Sequence, residues 1–250
     1  MPKTKRNSAA KTRIRAKNRF FLTLVIIVFA VVCLFTPIFN ISAINVEGNK
    51  ILTDKAIIEA SGIKKGENLF LADTKKGEKN INALGYVDNV EIKRKFFSRI
   101  LIDVTETTEA AYMTFSGNYV GIGADGKILS ITKTGKLKPK KAVISGCALT
   151  GAVKGEFIEC KKDKKTEAVK LVLGALSDNS LLSSVKKIDL TKLDSIKFIL
   201  NSDTMITAGT LEQFDYKLKC LNAVLEELGE IRGGKVDISD PANVIYEGGN

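Results

Sequence analysis

Hydrophobic positions between residues 41 and 106 change their period twice, from strand to helix and back. Ile44 and Val46 alternate with Asn45 and Glu47, the two-residue period of a strand over 41–47. Gly48–Asn49 turns the chain. Thr53 or Asp54 then stands where a helix cap belongs, ahead of Ile57 and Ile58, and Gly62 can close that helix. In the following loop, KKGENLFLAD, Leu69, Phe70 and Leu71 are able to pack. Asp73 or Thr74 caps a second helix through Ile81 and Leu84, ended by Gly85. VDNVEIKR places Val90 and Ile92 on one face of a strand, and Phe96, Phe97 and Ser98 make a turn. RILIDVTE then points Ile100, Ile102 and Val104 inward and Arg99, Asp103 and Thr105 outward. The order strand, helix, helix, strand, strand allows three strands under two helices around one small core.

Beyond Thr107 the pattern is strand-rich. YVGIGADGKILSI holds Asp125–Gly126 between two apolar runs, a dipeptide that favours the positive φ of a tight hairpin. Residues 142–144 read as a short strand and 166–176 as a helix, with Val169, Leu171, Val172 and Leu176 apolar. Strands follow at 185–190 and 196–200, and a turn at 201–203 leads into 204–208. Phe214, Leu218, Leu221, Leu225 and Leu228 repeat at helical spacing, too few for a coiled-coil seam. Residues 235–238 and 243–246 read as strands around Ser239–Asp240–Pro241.

The segment 20–39, FFLTLVIIVFAVVCLFTPIF, carries no charge. A hydrocarbon core of about 30 Å takes roughly 20 apolar residues of helix. A secretory signal has a shorter apolar core, about 7–15 residues, and then a small-x-small cleavage site. Here Asn40, Ile41, Ser42 and Ala43 follow, and Ile41 stands where a small residue is needed. The expectation is an uncleaved transmembrane helix over residues 20–40. Residues 1–19 contain eight Lys or Arg and no acid. Such a flank stays in the cytoplasm, which puts the chain from about residue 41 outside the cell membrane. The net charge of +11 thereby divides into +8 for residues 1–19 and +3 for the rest, where 31 basic face 28 acidic residues. The basic run serves orientation and attraction to anionic lipid, not nucleic acid.

The chain has no histidine, which removes Ser-His-Asp and Cys-His catalysis and most zinc catalysis. GxSxG and GxxxxGK[ST] are absent too, and Glu226–Glu227 reads as a solvated helix face. No catalytic residue, cofactor or metal site is expected, and the chain reads as a non-enzyme. Cys147, Cys160 and Cys220 lie outside the apolar segment without a CxxC motif. They read as small buried hydrophobes, with a Cys147–Cys160 bridge open as a second reading. The basic runs at 138–141 and 161–165 read as solvated loops or, secondarily, as contacts for acidic wall polymers.

The stretches INVEGNKILTDKAIIEASGIKKGENLF, ALGYVDNVEIKR and RILIDVTE, with turn glycines Gly48, Gly62 and Gly66, resemble the POTRA domain of the bacterial division proteins FtsQ and DivIB. YVGIGADGKIL, VKKIDLTKLDSIKFIL, FDYKLKCLNAVLEEL and GGKVDIS resemble the β domain that follows it in that family. Departures are local: Phe97 and Ser98 stand where the family often has a proline, and Thr107 where an arginine is common. The resemblance implies an α+β fold with four parts: a basic cytoplasmic tail (1–19), a single transmembrane helix (20–40), a β-α-α-β-β POTRA domain (41–107) and a mixed, strand-rich β domain (108–250). It also implies a non-enzymatic divisome scaffold at the division septum. Its partners would be FtsL-type and FtsB/DivIC-type single-span coiled-coil proteins and, indirectly, the septal peptidoglycan synthase. Family resemblance places the main contact on the last strands, at Lys235, Val236, Ile238, Val244, Ile245 and Tyr246. Ile245 and Tyr246 read either as interface anchors or as residues that close the core. A secondary contact is expected on the POTRA sheet edge at Val90, Glu91, Ile92 and Lys93. The alternative function is a POTRA-containing component of polypeptide transport or secretion.

Overall fold

Thr53 and Gly62 bound the first helix. Thr53 Oγ1 accepts the amide of Ala56 at 3.3 Å, and Gly62, at φ 71°, ends α1 (Asp54–Ser61) in the left-handed conformation. The computed structural model describes residues 19–29, 31–32, 36–96, 98–136, 139–229 and 232–248. The described residues form two compact units, one drawn from 19–80 and 90–104 and one from 81–89 and 105–248.

The first sheet is built from β1 (Ala43–Glu47), β2 (Val87–Lys95) and β3 (Arg99–Glu106), in the order β1-β3-β2. Its central strand β3 runs parallel to β1, with Ile44 opposite Ile100 and Val46 opposite Ile102. Ile100, Ile102 and Val104 are all buried, as their alternation with polar residues predicts. The second helix, α2 (Thr74–Asn82), begins where Asp73 Oδ1 accepts the amide of Lys76 at 3.0 Å. Gly48, at φ 86°, comes so close to the Val104 carbonyl that a Cβ would stand 2.0 Å from its oxygen, so no other residue fits there. The strand expected over 41–47 starts only at Ala43. The Ile41 amide bonds instead to Glu67 O (2.8 Å), and its carbonyl accepts the Gly66 amide (2.9 Å).

The second sheet contains β4 (Ala111–Phe115), β5 (Asn118–Ile122), β6 (Ile128–Lys133), β7 (Ala142–Ser145), β8 (Val185–Asp189), β9 (Ile196–Leu200), β10 (Met205–Gly209), β11 (Lys235–Asp237) and β12 (Ile245–Glu247). Their order is β12-β11-β10-β9-β8-β7-β4-β5-β6. Parallel neighbours need long crossovers. Two of these carry helices: α3 (Asp163–Asp178) links β7 to β8, and α4 (Phe214–Leu228) links β10 to β11. Phe198, Ile206, Ala208, Val236 and Ile238 share one core with Val172 and Leu173 of α3 and with Phe214, Leu218 and Leu221 of α4. The alternate positions Lys187, Lys197 and Lys235 are exposed, so helices cover one face of this half of the sheet and charge occupies the other.

Several expectations shift. The hairpin at Asp125–Gly126 is wider than two residues, since Gly123 donates to Lys127 O and Lys127 to Asp125 Oδ1 across residues 123–127. The last strand starts at Ile245 rather than at residue 243, because the Asn243 amide is held by Asp240 O (3.1 Å) in the preceding turn. Cys147, Cys160 and Cys220 are free thiols, so no bridge joins Cys147 to Cys160. Burial, reinforced by Cys160 beside it, pushes the Cys147 thiol up to about 12.

In the apolar segment, residues 19–29 and 31–32 are helical, and the apolar side chains from Phe20 to Val32 among them are exposed. The helix does not continue to residue 40. Thr36 is extended (φ −84°, ψ 128°) ahead of a 3-10 turn at Pro37–Phe39, because the proline ring fixes φ and removes a donor. Among the described residues no helix is long and apolar enough to cross a membrane. Residues 30 and 33–35 of the expected span, and residues 1–18 of the expected basic tail, lie outside the described residues.

Candidate partner-binding edge

The last two strands are set in place by contacts that reach back to β10. Thr204 is buried and donates from Oγ1 to Gly233 O (3.0 Å), while the Met205 amide donates to Gly234 O (3.0 Å). Lys217, only 4% exposed on α4, donates from Nζ to Ala208 O and Thr210 O, each at 3.0 Å. That ammonium ties the helix to the end of β10, and its hydrogen bonds offset the cost of burying it. β11 then pairs with β10 in parallel, Ile206 opposite Val236, and the Ile238 amide extends the ladder to Thr207 O at 2.8 Å.

Two aspartates shape the return. Asp237 Oδ1 accepts the Ser239 amide (2.8 Å) and hydroxyl (2.5 Å), and Asp240 Oδ1 accepts the Ala242 amide (3.0 Å). These side-chain bonds turn the chain without a ladder, as Asp does in short loops. β12 comes back antiparallel, with Lys235 opposite Glu247, Val236 opposite Tyr246 and Asp237 opposite Ile245. No strand lies beyond β12 among the described residues.

The six residues expected here divide into distinct places. Val236 and Ile238 are fully buried and share the core with α4, so their side chains belong to the core. Val244 is half-buried against the same core. Lys235 is exposed. Ile245 and Tyr246 are 50% and 38% exposed, so neither closes the core. Directly opposed residues share a face. Tyr246 therefore lies on the face of Val236 and Ile245 on the face of Asp237, one aromatic and one aliphatic group on opposite sides of a single edge.

The secondary candidate is an edge of another kind. β2 is the outer strand of the first sheet, but Val90 and Ile92 are 7% exposed and face the core. The Ile92 amide donates to Glu78 Oε1 of α2 at 2.8 Å. Lys93 lies between Glu91 (2.9 Å) and Asp103 (3.2 Å), whose hydrogen bonds hold its ammonium above the usual lysine range. At Ile92 this edge is already occupied by the protein's own carboxylate.

Lys217, Thr204, Glu78 and Arg94 were not singled out by the sequence reading. For Lys217 a signal existed: it falls three residues after Phe214 and four before Leu221, inside the apolar stripe where a lysine must find a partner. Arg94 donates from its guanidinium to Leu69 O and Ala72 O, both at 2.8 Å. Its target, the loop 69–72, lies more than twenty residues away, beyond the reach of local pattern.

The family described as POTRA domain, FtsQ-type matches residues 39–107. Cell division protein DivIB of Clostridium acetobutylicum is 31% identical over 223 residues, covering 88% of each chain. The protein of that name from Clostridium botulinum is 30% identical over 94% of this chain and 93% of its own. That of Bacillus subtilis is 28% identical over 95% of this chain and 86% of its own. A solved extracytoplasmic domain of DivIB from Geobacillus stearothermophilus is 20% identical, covers 50% of this chain and 95% of its own, and superposes with a TM-score of 0.32. These relatives carry division names along nearly the whole chain, which does not favour the transport reading.

Proposed function

Because this chain belongs to the DivIB/FtsQ family of bacterial cell division proteins, we propose that it is a non-enzymatic, membrane-anchored scaffold of the division septum that captures a partner strand on β12. The observation that carries this reading is the open edge itself. An outer strand has backbone N–H and C=O groups directed away from the sheet, and an extended segment can add there as a further strand. Ile245 and Tyr246, exposed on opposite faces, would flank such a segment on both sides and set which side chains it carries. Val236 and Ile238 act indirectly, by fixing the register of β11 beneath the edge. In this reading the captured segments belong to FtsL-type and FtsB/DivIC-type single-span proteins, and the assembly acts on the septal peptidoglycan synthase. The uncharged segment 20–39 behind a flank of eight cations supports the anchor, with the N-terminus cytoplasmic and both units outside.

The test is a pull-down of the full chain with the outer segments of the two coiled-coil partners, run beside a thermal melt. Deleting residues 243–250 should abolish binding while the first unit stays folded. Tyr246→Ala should cost about 2 kcal/mol or more of binding, with little change in the melt, since the side chain is exposed. Lys235→Glu should matter less, because an exposed charge contributes about 1 kcal/mol at most. Unchanged affinity after the deletion would move the contact away from β12.

A further inference from the structure

We infer that the turn at residues 68–72 seats the first unit on the lipid surface, with Phe70 and Leu71 entering the interfacial layer beside the exit of the apolar segment. This inference rests on the membrane-anchor reading above.

The turn is built to hold two large apolar groups outward. Leu69 and Ala72 are 4% and 7% exposed, whereas Phe70 and Leu71 between them are 53% and 67% exposed. Backbone slack does not account for this. Asn68 Oδ1 accepts the Phe70 amide at 2.9 Å, and Asn68 O accepts the amides of Leu71 and Ala72 at 3.1 Å each. From β2, the Arg94 guanidinium grips the carbonyls of Leu69 and Ala72 on either side. A rigid turn that spends five hydrogen bonds to display a phenyl ring and an isobutyl group marks an interaction site more than a packing fault.

The position of the turn names the occupant. Phe39 is the last residue of the uncharged segment, and its carbonyl accepts the Leu69 amide at 2.8 Å. Asn40 bridges Asn68, and the rings of Phe39 and Phe70 lie 5.3 Å apart. Ile38, 67% exposed, adds a further apolar group beside them. Wherever residue 39 leaves the bilayer, Phe70 and Leu71 are at the same level.

Charge completes the match. Exposed Lys64, Lys65, Lys75 and Lys76 flank the turn in sequence. The two acids of the stretch are turned to backbone amides, Glu67 to that of Lys64 (3.2 Å) and Asp73 to that of Lys76 (3.0 Å). Apolar groups flanked by lysines suit the boundary between acyl chains and anionic headgroups.

The chain has no tryptophan, so one introduced residue reports alone. Full-length Phe70→Trp, Phe29→Trp and Phe157→Trp would be reconstituted in vesicles of phosphatidylcholine and phosphatidylglycerol bearing bromine on the upper acyl carbons. Phe157, 54% exposed in the second unit, serves as the solvent reference. Emission of Phe70→Trp should be quenched about as strongly as that of Phe29→Trp and several-fold more than that of Phe157→Trp. Leu71→Trp should repeat the result if Phe70→Trp folds poorly. Quenching at position 29 without quenching at 70 or 71 overturns the inference and leaves the anchor standing. No quenching at position 29 overturns both. Omitting phosphatidylglycerol should reduce quenching at 70 but not at 29; equal quenching at 70 overturns the role given to the lysines.

Discussion

At Ile92 the outer strand of the three-stranded sheet hands its amide to Glu78, and Arg94 next door ties β2 to the loop at Leu69 and Ala72. At the far side of the nine-stranded sheet, β12 has no such cover among the described residues. The other end of that sheet, β6, behaves like β2: Ile128 donates to Glu156 O (2.7 Å) and accepts from Gly155 (2.8 Å), so a passing segment occupies the start of its edge. Outer strands tend to be blunted because an open one invites pairing with any extended chain. A protein that covers the start of β6 and the amide of Ile92, yet among its described residues leaves β12 uncovered with an isoleucine and a tyrosine beside it, treats that edge differently.

Three experiments would break or sharpen this contrast. Ile102→Asp, in the central strand β3, should have the largest effect, because an unpaired carboxylate would enter a fully buried position. A loss of more than about 4 kcal/mol is expected in the first unit. Hydrogen exchange should show protection lost in β1 and β3 and kept in β9 and β10; collapse of all four would mean that the two sheets do not stand independently. Glu78→Ala should cost about 1 kcal/mol and turn β2 into an open edge. Sedimentation should then reveal self-association absent from the parent chain. A strictly monomeric Glu78→Ala would show that something other than this carboxylate guards β2.

The smallest effect is alkaline. Tyr86 donates to Glu109 Oε1 at 2.5 Å, and burial, with that carboxylate second, pushes its phenol up to about 12 from 10.0. Above about pH 10 the unfolded chain loses this proton while the folded chain keeps it, so stability falls as pH rises toward about 12. Tyr86→Phe should flatten that part of the stability curve in the second unit, where Tyr86 and Cys147 both lie. An unchanged alkaline slope would assign the loss to other groups.

Local chemistry made much of this architecture legible. Thr53, Gly62 and Asp73 sit where the helix ends require them, and the alternation in RILIDVTE gave the inward face of β3 directly. Strand order was not legible, because β1 meets β3 across more than fifty residues and periodicity is silent about which strands pair. At the candidate edge, Ile245 and Tyr246 were found by residue type. Their placement on opposite faces, and the burial of Val236 and Ile238, depend on register with β11 and β10, which the sequence states only through tertiary pairing. Arg94 and Glu78 escaped notice because their partners are remote backbone groups, and a charged residue at a strand surface otherwise looks solvated.

From β8 outward, the five strands β8, β9, β10, β11 and β12 lie side by side in the order of the sequence. Each is laid against a template that its predecessor provides. β11 is reached only through the α4 crossover, which Lys217 ties to the end of β10 through the carbonyls of Ala208 and Thr210. β12 in turn pairs with β11 alone among the described strands. In the proposed reading, a chain whose β11 is out of place has no docking strand to offer. Under the proposed function, recruitment at this edge would double as quality control, since a partner that engages β12 would thereby read out that the core beneath it is finished.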